Sequence, residues 1–342
     1  AIIFLSIYMI FYKILFHKEV IIKEKKLINP WVIRILMIVS YGLLIYFIGE
    51  IGLNNLLSRQ TSYFPNNIQS QQLIIDYSIR LFPVVIAYMA LHHLKHRFWI
   101  LKLLTIIPVF LLFFPLGGMS RFIIGVVYLM LLMPFFSKKP YTHGLVPILL
   151  IGLLIVFPSI DFFRNNTIEN LSNFELSFAS FTSMDFDSYF MTVQTYRYIL
   201  SEGLTYGYQL LGALFTFVPR SIWEAKPVIT GMLVTNTLGG EFWNVSASII
   251  AESLIDFGLF GLLLVPFGLA VLIKGMEVLV TKTNVLFIQA SFYILLGYTF
   301  FHMRGSLLTT MGFMYGGLFA VFVISVVIFL LAFIFKYKED TL

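Results

Sequence analysis

The 342-residue chain has no cysteine, which excludes disulfides, thiolate nucleophiles and cysteine metal sites. Charge is scarce as well. Only 12% of residues are Asp, Glu, Lys or Arg, against 59% hydrophobic. That balance, with a mean hydropathy of +0.91, marks an integral membrane protein. Several enzyme signatures are missing: there is no Ser-His-Asp elbow, phosphate-cradling glycine loop, histidine-rich metal spacing or haem pattern. A net charge of +6 would hint at nucleic acid in a soluble chain. Here the loop positions of the charges explain it as topology, and no nucleic-acid partner is expected. No cleavable signal is expected from this stretch either, because residues 1–16 are apolar and basic residues follow, the reverse of a signal peptide's order. The chain opens inside an apolar run without Met, so a trimmed or missing native start is expected.

What is present is a series of apolar runs long enough to cross a bilayer of ~30 Å. They cover 1–16, 31–49, 71–91, 98–115, 121–136, 144–160, 254–273, 284–303 and 307–335. They predict an all-α, polytopic helical bundle of about nine spans, a single transmembrane domain over 1–342. One large external loop, 161–253, interrupts it, with its own interfacial or re-entrant helices. Lys18, Lys23, Lys25, Lys26, Lys95, Arg97, Lys138, Lys139, Lys274, Lys282, Lys336 and Lys338 fall on one side of this arrangement. By the positive-inside rule that side is cytoplasmic. The cations on the other side are nearly all arginine: Arg59, Arg121, Arg164, Arg197, Arg220 and Arg304, joined by Lys226. Arginine grips phosphate or carboxylate bidentately, although external carboxylates could equally pair with these residues as plain structure.

Within the external loop, Phe217 to Pro227 reads Phe-Val-Pro-Arg-Ser-Ile-Trp-Glu-Ala-Lys-Pro. Pro219 and Pro227 each fix φ and remove a donor, so the segment is expected to be non-helical. Arg220, Trp223 and Lys226 at a membrane face suit an anionic headgroup, or serve as ordinary interface anchors. Leu204 to Val218 is apolar but short for a span and is expected to form an interfacial or re-entrant helix. Residues 230–248, rich in Gly, Asn, Thr and Ser, are expected to be a mobile loop.

The carboxylates offer several candidate bases. Asp185 and Asp187 have Asp-x-Asp spacing, which can share a metal. An external loop is the wrong place for a nucleotide sugar, and a helix N-cap accounts for them as well. Glu252 and Asp256 are four residues apart, on one helix face where a span begins. They suit a general base, or a favourable interaction with the helix terminus and nearby arginines. Asp161 is a further external candidate. Asp76 and Arg80, also four apart, lie inside a span as a functional or self-satisfied pair. His302, close to Arg304, is expected to be structural.

Val218 to Pro227 resembles the Pro-Arg-x-Ile-Trp-x-x-Lys-Pro signature of bacterial oligosaccharide repeat-unit polymerases, the Wzy-type O-antigen and capsule polymerases. Tyr206-Gly-Tyr precedes it, and Ala251-Glu-Ser-Leu-Ile-Asp-Phe-Gly258 resembles the family's Glu-x-x-x-Asn-Phe-Gly segment. Asp256 stands where Asn is usual, and Glu224 where Pro is. The resemblance implies a glycosyltransferase on the outer face of the bacterial cytoplasmic membrane. Donor and acceptor would be oligosaccharides on undecaprenyl pyrophosphate. No metal, nucleotide or other cofactor is implied, while a chain-length regulator and a flippase are implied partners. For that chemistry the candidate bases are Glu252, Asp187 and Asp161. The pyrophosphate ligands would be Arg220, Lys226, Arg164, Arg304 and Arg197. The sugar-stacking aromatics would be Trp223, Tyr206, Tyr208 and Trp243. A lipid-linked oligosaccharide flippase and an O-antigen ligase are the competing expectations.

Overall fold

A computed structural model describes residues 2–15, 27–57, 70–115, 117, 119–136, 147, 150–156, 188–239, 247–283 and 285–339. Every regular element among them is helical. Four helices are long and apolar enough to cross a membrane: Pro30–Ile51, Ile74–His93, Ile249–Lys282 and Leu307–Phe333. The chain is therefore a helical membrane protein in its architecture. Expected spans at 1–16, 98–115, 121–136 and 284–303 form helices of 14, 14, 16 and 17 residues. All are shorter than the ~20 residues of an upright span. The run 98–115 stops at Leu112, just ahead of Pro115 and Gly117, residues that punctuate helices. Most of the run 144–160 lies outside the described residues.

Two compact units make up the chain. The first holds α1 (Ile2–Leu15), the first turns of α4 (Ser70–His93), and α7 (Ser188–Glu202), α8 (Tyr208–Leu214) and α9 (Thr230–Thr237). It also holds α10 (Ile249–Lys282), α11 (Leu286–His302) and the first turns of α12 (Leu307–Glu339). The second unit holds α2 (Pro30–Ile51), α3 (Leu53–Leu57), the rest of α4, α5 (Trp99–Leu112), α6 (Arg121–Phe136) and the remainder of α12.

In the second unit, Asn29 caps α2 by accepting from Trp31 N at 3.0 Å, with Pro30 in the first turn where its missing donor costs nothing. Tyr41 of α2 donates to Leu104 O of α5 at 3.0 Å. Arg80 is buried in α4, bonded to Asp76 at 2.9 Å with its guanidinium 4.4 Å from the Phe47 ring centroid. The two side chains thus pair with each other, as their four-residue spacing allowed. Ile38, Ile45 and Phe329 are largely exposed, as helix faces in contact with lipid are.

In the first unit α10 is the central element. Its 34 residues would extend ~50 Å if straight, and it is broken at Gly258, where φ is 59° and ψ −147°. That conformation is open essentially to glycine alone. The C-terminal part of α10 packs on α1, where Phe11 meets Phe267 edge-on at 4.9 Å and Tyr12 donates to Glu277 at 2.6 Å. Lys274, expected in a cytoplasmic loop, instead lies buried in the helix and pairs with Glu277 at 2.9 Å. The helix continues to Lys282 because no proline falls in 274–282 and the buried Lys274 has Glu277 as its partner.

Candidate functional site

The prolines of the 217–227 segment do keep it out of a helix. It is a series of tight turns, with Ile222 N and Trp223 N both donating to Pro219 O, at 3.1 and 3.0 Å, and Lys226 N donating to Trp223 O at 3.1 Å. Turns of this kind leave carbonyls without the regular partners of a helix. The two cations supply the missing donors. Arg220 donates through Nη1 to Lys226 O at 2.6 Å and through Nη2 to Pro227 O at 3.1 Å. Lys226 Nζ donates to Thr216 O at 2.6 Å and Val218 O at 3.0 Å. Lys226 is only 3% exposed, and its burial, with Arg220 nearby, holds its ammonium below the ordinary lysine range. Arg220 remains exposed at the surface of the loop.

The short helix α8 backs this loop. A Cβ on Gly212 would collide with the Pro227 ring, so only glycine permits the contact. Tyr208 donates to Ala225 O, and its ring meets Trp223 edge-on with centroids 5.9 Å apart. The apolar run 204–218 is therefore helical only over Tyr208–Leu214, after which turns lead into the proline segment. Leu211, Leu214, Phe215 and Phe217 stay exposed along it.

Helix α9 lies where a mobile loop was expected. Residues 230–237 are helical because Val234, Ile255, Met191 and Tyr198 form one buried cluster. Thr235 and Thr237 also return their hydroxyls to Gly231 O and Leu233 O, at 2.7 and 2.9 Å. Polar composition suggested a loop, but burial of one apolar face overrode it.

The N-terminal part of α10 carries Glu252 and Asp256, both buried. Although they share a helix, they have separate partners. Glu252 Oε2 accepts from the Thr230 hydroxyl at 2.8 Å, and Oε1 from Leu307 N at 3.1 Å, in the first turn of α12. Asp256 accepts from Thr205 Oγ1 at 2.6 Å, Gln209 N at 3.1 Å and Leu210 N at 2.8 Å. It thus caps α8 from another helix, since the N-cap position is Gly207, which has no side chain to do so. The Ile255 carbonyl, just ahead of the break in α10, accepts from Thr205 N at 2.9 Å. Thr205, Gln209 and Thr230 were not singled out from sequence; isolated hydroxyls and amides carry no spacing signal.

A cavity of about 140 Å³ adjoins these groups, lined by Glu252, Ser253, Asp256 and His302 together with apolar residues of α8, α10 and α12. His302 ends α11, and Arg304, half-exposed, follows in the turn that leads to α12. Of the other sequence candidates, Tyr206 is 83% exposed with φ +51° in the turn before α8. Arg197 is exposed on α7. Asp161, Arg164, Asp187 and Trp243 lie outside the described residues. Among the described residues no three His, Asp or Glu side chains gather as metal ligands.

The chain matches no family model, no curated protein and no solved structure.

Proposed function

We propose that the chain is a membrane glycosyltransferase that polymerises polyprenyl-pyrophosphate-linked oligosaccharide repeat units on the outer face of a bacterial cytoplasmic membrane. One observation carries this reading. The two stretches that resemble the polymerase signature, 218–227 and 251–258, are distant in sequence yet join one hydrogen-bonded neighbourhood. Thr230 follows the first stretch and donates to Glu252 of the second at 2.8 Å. Asp256 of the second caps the helix that packs on Pro227 of the first.

In this reaction a hydroxyl of the acceptor sugar attacks the anomeric carbon of the donor, and the lipid pyrophosphate leaves with the bonding electrons. The leaving group gains charge, which fixed cations stabilise. We assign this to Arg220 and Arg304, with Arg164 and Arg197 as further cations of the same external set. Lys226 shapes the loop. Trp223 and Tyr208, whose rings already meet, offer faces for a sugar. The finer topology, about nine spans with an external 161–253 loop, belongs to the same proposal and follows from the alternation of loop charges.

A second reading, lipid-linked oligosaccharide transport, draws on the break in α10 beside two buried carboxylates, since transporters bind at discontinuous helices. The test uses the lipid-linked oligosaccharide pool extracted from cells lacking the gene for this chain. Purified protein in nanodiscs should convert that pool to a ladder of longer glycans without added nucleotide. Failure to lengthen it, with transfer across liposome membranes instead, would establish transport. Transfer of finished glycan to a lipid core would indicate a ligase.

A further inference from the structure

His302 closes α11 and lies almost wholly inside the protein, 7% exposed. Its Nδ1 is 3.1 Å from Gly305 O. A carbonyl only accepts, so Nδ1 of the neutral ring carries the proton and Nε2 presents a lone pair. Among the described residues Nε2 meets no donor. The residue lines the cavity of about 140 Å³ that Glu252, Ser253 and Asp256 also line. The carboxylates there are differently committed: both Glu252 oxygens and both Asp256 oxygens already accept protein hydrogen bonds. Glu252 holds Leu307 N, which fixes the start of α12 directly after the turn that carries His302 and Arg304.

We propose that His302 is the catalytic base of the glycosyl transfer, with Glu252 as the positioning residue that holds its turn. The assignment rests on the glycosyltransferase reading above. As the acceptor oxygen bonds to the anomeric carbon, its proton passes to His302 Nε2. The bond from that carbon to the pyrophosphate oxygen breaks, and the electron pair leaves with the pyrophosphate. The imidazolium then releases its proton to water, restoring the ring. Arg304, two residues along the same turn, would meet the charge of the leaving group, so one turn serves both ends of the reaction.

His302→Asn keeps a side-chain N–H for Gly305 O and removes Nε2, so it separates catalysis from folding. With the extracted oligosaccharide pool as substrate, His302→Asn should lengthen glycans about 100-fold more slowly than wild type or worse, the usual contribution of a general base. Its melting temperature should stay within about 3 °C of wild type. Added imidazole should restore His302→Ala by about tenfold or more while leaving Glu252→Ala unchanged. A rate for His302→Asn within about threefold of wild type overturns the assignment, even though the ladder persists. So does a folded His302→Ala that ignores imidazole. If wild type makes no ladder from the same pool, the glycosyltransferase reading falls and the base with it.

Discussion

Lys226→Met separates a cation that grips a ligand from one that holds its own loop. Methionine is close to lysine in length and removes little but the ammonium. That ammonium is buried and donates at 2.6 and 3.0 Å to Thr216 O and Val218 O. Hydrogen bonds to a charged group contribute roughly 1.5–3 kcal/mol each, so the gross loss is about 3–6 kcal/mol. Part of this is offset. The variant no longer desolvates a charge beside Arg220, the same burial that depresses the lysine's pKa, and it buries an apolar side chain worth about 1.5 kcal/mol. The net destabilisation should be about 2–4 kcal/mol. At roughly 2–4 °C per kcal/mol for a large domain, the melting temperature should drop by about 4–16 °C. Intrinsic fluorescence of the protein in nanodiscs measures this, with Trp223 in the same loop as one reporter, and tryptic cleavage after Arg220 should quicken in parallel. A variant that melts within about 1 °C of wild type refutes the reasoning. If that variant were also inactive, Lys226 would be a ligand-binding cation after all.

Asp256→Asn keeps one oxygen for the N-terminus of α8 and should cost about 1 kcal/mol, whereas Asp256→Ala strands Gln209 N and Leu210 N and should cost about 2–5 kcal/mol. Chemical denaturation of the two variants side by side checks this order, and equal costs would refute the cap. Gly258→Ala forces a Cβ into a conformation reserved for glycine and should cost about 1–3 kcal/mol, seen as a lower melting temperature; an unchanged one would mean that α10 tolerates straightening. Asp76→Ala leaves the Arg80 guanidinium without its carboxylate. Because Asp76 is a third exposed, the cost should be about 1–3 kcal/mol rather than that of a fully buried pair. In a double-mutant cycle with Arg80→Met the two losses should be less than additive.

The long helices were legible because their apolar runs exceed any helix break within them. Pro30–Ile51 and Leu307–Phe333 match the runs 31–49 and 307–335 closely. The Asp76–Arg80 pair was legible for a local reason, since four-residue spacing fixes the geometry without tertiary information. Glu252 and Asp256 show where that reasoning stops. Their spacing put them on one helix correctly, but their partners come from α8, α9 and α12, about 20 to 55 residues away in sequence. No periodicity encodes which backbone amide a carboxylate will meet. Thr230–Thr237 failed for a related reason: its Gly, Thr and Asn content disfavours an isolated helix, and only Val234 in a cluster with Ile255 and Met191 makes it one.

The proline-bracketed segment shows why a motif's residues and its chemistry can part. Cations between two prolines suggest a ligand, because composition cannot distinguish an arginine aimed at phosphate from one aimed at its own backbone. The physical demand came first here. Pro219 and Pro227 prevent a helix, and the resulting turns leave the carbonyls of Thr216, Val218, Lys226 and Pro227, all buried or half-buried residues, to be satisfied by other donors. Side-chain donors long enough to reach back were required, and Arg220 and Lys226 are the cations of that segment. The pattern Pro-Arg…Lys-Pro is therefore explained by backbone satisfaction before any substrate is invoked. A loop held this way is also preorganised, and preorganised donors are what a developing charge needs. In the proposed glycosyl transfer the exposed Arg220 would then contribute only to the extent that Lys226 keeps its loop fixed. On that argument a Lys226→Met protein should lose activity in proportion to its loss of loop order.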